Sequence, residues 1–156
     1  MLDPMGLVRT TVNIEHPARR DTAVELADVI VDTGSEYSWI PQPVLESIGL
    51  VPERRVEFVT ADGRQIERAV GFANIAVSGT AAPDLVVFAE RGDLILVGAR
   101  TLDGLNLRID LRSRTLVSAG PVVAAVALAR DASDALEPAP ARVADLRHHL
   151  GVRSPR

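Results

Sequence analysis

The stretch Val29-Ile30-Val31-Asp32-Thr33-Gly34-Ser35 holds the residues of this chain best placed to do chemistry. Three β-branched apolar residues run straight into an acid, and such a run favours a buried strand. A carboxylate at the end of a buried strand carries a desolvation cost if it is unpaired, or else it keeps its proton. Gly34 lets the backbone turn where a side chain would block it. Thr33 and Ser35 set hydroxyls beside the carboxylate, and apolar residues resume at Trp39-Ile40-Pro41. The acid is therefore presented on a tight loop between buried elements, where it can take or give a proton. Taken alone, Asp-Thr-Gly is equally an ordinary turn, because Asp and Gly are common turn residues. The rest of the chain decides between the two readings.

The 156 residues suit one domain with some excess. Apolar residues make up 47% but aromatics only 3%, so the core must be built from Val, Leu, Ile and Ala. The absence of Cys excludes disulfides and thiolate metal sites. Every one of the 17 basic residues is Arg, which with the Ala and Val richness reads as a coding bias. A net charge of -4 without a basic stripe argues against nucleic acid as a partner. No signal-peptide pattern opens the chain and no apolar run reaches membrane-spanning length, so a cytoplasmic protein without membrane contact is expected.

The elements that must position Asp32 are short and mostly extended. Val8, Thr10, Val12 and Ile14 alternate with polar residues as a half-exposed strand. A polar connection over 16–21 leads to a second strand over 22–31, so the two read as a hairpin that delivers Asp32. Residues 41–49 read as a short helix, with Pro43 early, Gly49 as its C-terminal cap, and Leu45 and Ile48 facing the core. A strand over 54–60 carries Val56 and Phe58 on one side, and Ala61-Asp62-Gly63-Arg64 turns it back. The return strand passes Ile66 and Val70, is expected to bend at Gly71, and continues to Val77. Residues 78–83 read as a turn before a strand over 85–88. Leu94-Ile95-Leu96-Val97-Gly98 is a second buried run, followed by a short helix over 99–105 and a closing hairpin over 107–117. Many short strands with frequent turns indicate an all-β barrel or sandwich. The domain is expected over 1–120, with 121–156 an Ala-rich extension comprising a linker and a short helix. His16 is read as a loop residue, and the adjacent His148 and His149 as a solvated helix end, since neighbouring helical residues do not share a face.

Four features occur in one order: a hairpin into Val-Asp-Thr-Gly-Ser, a turn-bearing hairpin at Asp62-Gly63, Leu96-Val97-Gly98 opening a short helix, and Leu107-Arg108-Ile109-Asp110 with a closing strand. In this the chain resembles the retropepsin-like aspartic proteases, small prokaryotic type, over roughly 6–118. The resemblance implies an all-β, single-lobe acid protease barrel with two short helices and an aspartic endopeptidase without metal or other cofactor. Asp32 would be catalytic and Thr33, Gly34 and Ser35 its loop. Ala61, Asp62, Gly63 and Arg64 would be the substrate-covering flap, although the tip lacks the glycine richness of retroviral members. Leu96, Val97 and Gly98 would give structural support, with Glu36 and Arg100 as an ion pair beside the site.

Peptide hydrolysis by carboxyl groups needs two of them sharing one proton around a water, and this chain has one Asp-Thr-Gly. Asp103-Gly104 lies in the expected helix and Asp62-Gly63 in a polar hairpin, so neither supplies a second half. The second acid is expected from Asp32 of another copy, across a homodimer axis, acting on a peptide or protein substrate. Resemblance further implies that the Thr33 hydroxyl bonds across that axis and that strands near 7–12 and 107–117 contribute to the interface. A Ser35 hydroxyl within reach of Asp32 would lower the pKa of the dyad. The alternative of a different class is a non-catalytic dimeric peptide-binding or scaffold module on the same fold.

Overall fold

The computed structural model describes residues 6–125. The expected linker and helix at 131–150, with His148 and His149, lie outside the described residues. The described residues up to Val122 form one compact unit.

Seven strands form one sheet in the order β1 (Val8–His16), β2 (Arg19–Val31), β7 (Leu96–Val97), β3 (Trp39–Pro41), β6 (Thr80–Ala89), β5 (Gln65–Val77) and β4 (Arg54–Val59). The second half of β5 also pairs with β1, from Val12 opposite Val77 to Glu15 opposite Asn74. This extra pairing closes six strands into a barrel and leaves β4 as an appended edge strand. Its interior holds Val12 and Ile14 from β1, Val29 and Val31 from β2, Ile75 and Val77 from β5, Val86 and Phe88 from β6, and Val97 from β7. At about 1.5–3 kcal/mol per buried side chain this cluster is the main driving force for folding.

Two helices close the barrel. In α1 (Gln42–Ser47), Pro43 occupies the first turn, where its missing N–H costs nothing. Gly49 adopts φ 81°, its N–H bonds Glu46 O, and Leu50 N–H bonds Leu45 O. These are the two bonds of a Schellman cap, and Leu45 and Ile48 face the core as their spacing predicts. The second helix, α2 (Ala99–Gly104), buries Thr101 and Leu102. A separate two-stranded sheet of β8 (Leu107–Asp110) and β9 (Thr115–Ser118) follows it.

The structure corrects the sequence expectations at four places. The turn between β5 and β6 is shorter than 78–83, because Thr80 already pairs with Val77 and Pro83 pairs with Asn74 inside β6. Pro83 is tolerated because β3 joins β6 only further along, from Val87, leaving this stretch one registered neighbour. Gly71 makes no break, since β5 runs through it. A Cβ there would meet Val51 O at 2.8 Å and the Phe88 ring at 2.9 Å, so glycine serves close packing. Trp39–Pro41 is a strand of its own, too short for periodicity to reveal. The connection expected over 16–21 shrinks to Pro17 and Ala18, because His16 ends β1 opposite Arg19, the first residue of β2, and is not a loop residue; its Nδ1 accepts from Ala18 N–H at 3.0 Å.

The β1–β2 ladder contains one irregularity. Thr10 lies opposite Val29 and Val12 opposite Leu26, so Ala27 and Asp28 together oppose Thr11. This is a β-bulge, with Asp28 at φ 60° and its carbonyl held by Arg9 Nη1 at 3.1 Å.

Candidate active site

The topology places Asp32 where the chain must cross over a strand. β7 lies between β2 and β3, parallel to β2 with Val31 opposite Val97. To pass from β2 to β3 the loop 32–38 runs over the end of β7. Asp32 N–H bonds Val97 O at 2.9 Å, Ala99 N–H bonds Ser35 O at 2.8 Å, and Arg100 N–H bonds Glu36 O at 3.0 Å. Gly98 sits directly under the crossing. A Cβ on it would stand 2.3 Å from Tyr37 O and 2.8 Å from Ser35 O, so the Leu96-Val97-Gly98 run needs its glycine for close approach.

Within the loop, Asp32 Oδ1 accepts the Gly34 N–H at 2.9 Å. The Gly34 Cα is so close that a Cβ would lie 3.1 Å from the same oxygen. Val31 is buried, but Asp32, Thr33 and Gly34 are exposed in the protomer. The acid thus stands at the mouth of the barrel and not within it, which corrects the expectation of a desolvated carboxylate. Ser35 departs from expectation more sharply. Its hydroxyl donates to Tyr37 O at 2.9 Å and so satisfies the loop backbone instead of Asp32.

Glu36 and Arg100 approach to 3.9 Å, with side chains 69% and 44% exposed. A pair this long and open contributes at most about 1 kcal/mol. The Arg100 guanidinium also lies 5.0 Å from the Tyr37 ring centre.

At the tip of the β4–β5 hairpin, Gly63 takes φ 82° and its N–H bonds Thr60 O at 2.8 Å. The Thr60 hydroxyl donates to Asp62 Oδ1, and Arg64 Nε donates to Asp62 Oδ2 at 2.8 Å. The Thr60 bond, then Arg64, hold the Asp62 carboxyl below the usual carboxylate range. Arg64 is engaged by the tip's own acid, and both side chains are largely exposed. Ala61 is exposed beside them.

A cleft of about 480 Å³ separates this hairpin from the loop, lined by residues that include Gly34, Ser35, Tyr37, Trp39, Phe58 and Ile66. Phe58 meets Tyr37 edge to face at 5.6 Å and Trp39 at 5.0 Å. Nothing in the sequence singles out Tyr37, and Trp39 and Phe58 stand there only as apolar residues. The available signal was scarcity, since these are three of the chain's five aromatic residues. Two larger polar features also escaped the sequence reading. One is a buried chain through Ser38, Thr101 and Asp84; the other is the pairing of Arg68 with Asp93. Among the described residues no group of three or more His, Asp or Glu could hold a metal ion, and no helix is long and apolar enough to cross a membrane.

A closed β barrel with two short helices and an Asp-Thr-Gly loop crossing an apolar-apolar-Gly strand defines the retropepsin-like acid protease class. The family model described as aspartyl protease matches residues 21–105, over half of the chain, and the chain belongs to that family. The match takes in the Asp32 loop, the hairpin tip and β7, and ends before β8 and β9. No curated protein matches the chain.

Proposed function

We propose that the protein is an aspartic endopeptidase whose working site forms when two copies bring their Asp32 carboxyls together across a twofold axis. The observation that carries this reading is the placement of a lone Asp-Thr-Gly acid, exposed at the barrel mouth, with Gly34 and Ser35 of its loop lining a cleft that also holds Tyr37, Trp39 and Phe58. A single carboxylate is half of the required machinery. Two carboxyls facing one another cannot both ionise easily, so they hold one proton between them. The ionised Asp32 takes a proton from water while the protonated Asp32 donates to the substrate carbonyl oxygen. The water oxygen bonds to the carbonyl carbon, and the resulting tetrahedral species breaks its C–N bond as a proton passes to the departing nitrogen.

The loop would be fixed for this by its backbone bonds to β7 and α2, which limits reorganisation during the reaction. The hairpin tip of Ala61, Asp62, Gly63 and Arg64 would cover an extended substrate bonded along its backbone. Its internal clasp favours a preformed cover over a floppy one. Of the strands expected at the interface, β1 is paired on both edges over Val12 to Glu15. Residues 7–10 and the β8–β9 ribbon are therefore the better-placed contributors.

The test is a peptide-library cleavage assay on the full chain and on Asp32→Asn, with sedimentation of both. Cleavage by the wild-type dimer and none by an equally dimeric Asp32→Asn is expected. A monomer that cleaves, or cleavage that survives Asp32→Asn, overturns the dyad. A wild type that binds peptides without cleaving them is a binding module.

A further inference from the structure

Behind the loop lies a chain of buried polar groups whose hydrogen-bond directions are fixed by chemistry. The Thr101 hydroxyl donates its one proton to Asp84 Oδ2 at 2.6 Å. The Ser38 hydroxyl, 2.5 Å from Thr101 Oγ1, must then donate to Thr101. That leaves a Ser38 lone pair for the Gly98 N–H at 2.9 Å. Ser38 and Thr101 are 0% and 2% exposed, and the Asp84 side chain 10%. The other Asp84 oxygen accepts from Leu85 N–H at 2.7 Å. Arg100 Nε stands 3.8 Å from that oxygen and extends on its other side towards Glu36.

Asp84 on β6 thus reaches the loop 32–38 by two routes, through Thr101 to Ser38 and through Arg100 to Glu36. Apolar residues could fill the same space at lower desolvation cost. What the polar chain adds is direction, since each hydroxyl has one place for its proton and one conformation that satisfies it.

We propose that Asp84 is a positioning residue for Asp32, orienting the Thr101 and Ser38 hydroxyls so that the loop 32–38 is held in register over β7 and α2. Its catalytic consequence rests on the assignment of Asp32 as the catalytic carboxylate, whereas the mechanical part stands apart from it. Asp84 touches neither Asp32 nor the cleft.

The experiment uses full-length Thr101→Val, Thr101→Ser and Asp84→Asn beside the wild type, with two readouts. Amide hydrogen exchange is followed at Asp32, Ala99 and Arg100, whose N–H groups bond Val97, Ser35 and Glu36, and at core amides of β5 and β6. Steady-state kcat and KM are measured on a peptide that the wild type cleaves. Thr101→Val and Asp84→Asn should each speed exchange at the three amides about tenfold or more, with core amides changed less than about twofold. Both should lower kcat by about tenfold or more at nearly constant KM, the pattern of lost transition-state positioning. Thr101→Ser, which keeps the hydroxyl, should restore both readouts. Unchanged exchange at the three amides overturns the proposal, as does an equal rise throughout the barrel, which would mark a merely structural role. A rise in KM with kcat unchanged also overturns it. A wild type that cleaves nothing counts against the catalytic reading alone, and the exchange arm then decides the positioning role by itself.

Discussion

Arg68 grips Asp93 through two parallel hydrogen bonds, Nε to Oδ2 at 2.7 Å and Nη2 to Oδ1 at 2.9 Å. The side chains are 17% and 11% exposed, and Glu90 adds a second carboxylate 3.0 Å from Arg68. Asp93 also accepts from Glu90 N–H at 2.7 Å, so the pair fastens the loop after β6 to β5. The Arg68 bond, ahead of other causes, holds the Asp93 carboxyl below the ordinary carboxylate range. Its folded pKa is depressed, so its contribution to stability is fully present above the unfolded value of about 4 and is lost as pH falls towards the folded value. Asp93 raises the Arg68 pKa, but Arg68 stays charged throughout this window. Asp93→Asn should therefore cost about 1–2 kcal/mol near neutral pH, between surface and buried pairs. The gap to wild type should close in denaturant titrations below about pH 4. A gap independent of pH would mean that Asp93 acts by packing alone.

Two glycines at opposite ends of α2, Gly98 at its N-cap and Gly104 in its last position, should respond oppositely to the same change. Gly98→Ala forces a Cβ against the backbone of Tyr37 and Ser35, which cannot swing aside as a side chain could. It should cost about 3 kcal/mol or more, in the range of severe core overpacking. At Gly104 a Cβ meets nothing within 4 Å and φ is not left-handed. Gly104→Ala should stabilise by about 0.4–1 kcal/mol through the unfolded chain. Thermal or urea unfolding of the two variants decides this, and similar midpoints would refute the crossing geometry.

Ser35→Ala should lower stability by about 0.5–1.5 kcal/mol, because Tyr37 O loses its partner. The pH profile of any peptidase activity should be unmoved, since the hydroxyl faces the loop backbone and not Asp32. A profile shifted to higher pH in the variant would restore the tuning role expected from the sequence.

Thr33 is exposed in the protomer, so Thr33→Ala should change protomer unfolding by less than about 0.5 kcal/mol. If its hydroxyl bonds across the proposed axis, self-association should weaken by about 1–3 kcal/mol per site. Sedimentation over a dilution series would show this, and an unchanged dissociation constant would place Thr33 away from the axis.

The sequence carried much of this site because its parts are local. Val31-Asp32-Thr33-Gly34, the Asp62-Gly63 tip and the Pro43 to Gly49 helix each declare themselves within a few residues. What escaped depends on partners far along the chain. Ser38 meets Thr101 across 63 residues, and nothing beside either residue marks the contact. Arg68 and Asp93 are 25 residues apart, and again no neighbouring residue marks the pairing. Pro83 misled because proline breaks central strands, and only the sheet order reveals a stretch of β6 where it is harmless. Barrel closure rests on the single pairing of β1 with β5, which alternation in either strand cannot announce.

The bulge at Ala27 and Asp28 reaches further than its two residues. Before it Val24 and Leu26 turn inward, and after it Val29 and Val31 do, so the extra residue switches the parity of the strand. Remove one residue there and the alternation arrives at Asp32 half a cycle out of step. Val29 and Val31 would rotate into solvent, and the acid would turn towards the barrel interior. A one-codon deletion between 26 and 29 is thus a more drastic change than almost any substitution in β2. The reach of the acid into solvent is an arithmetic property of the strand, set by whether an odd or an even number of residues precedes it.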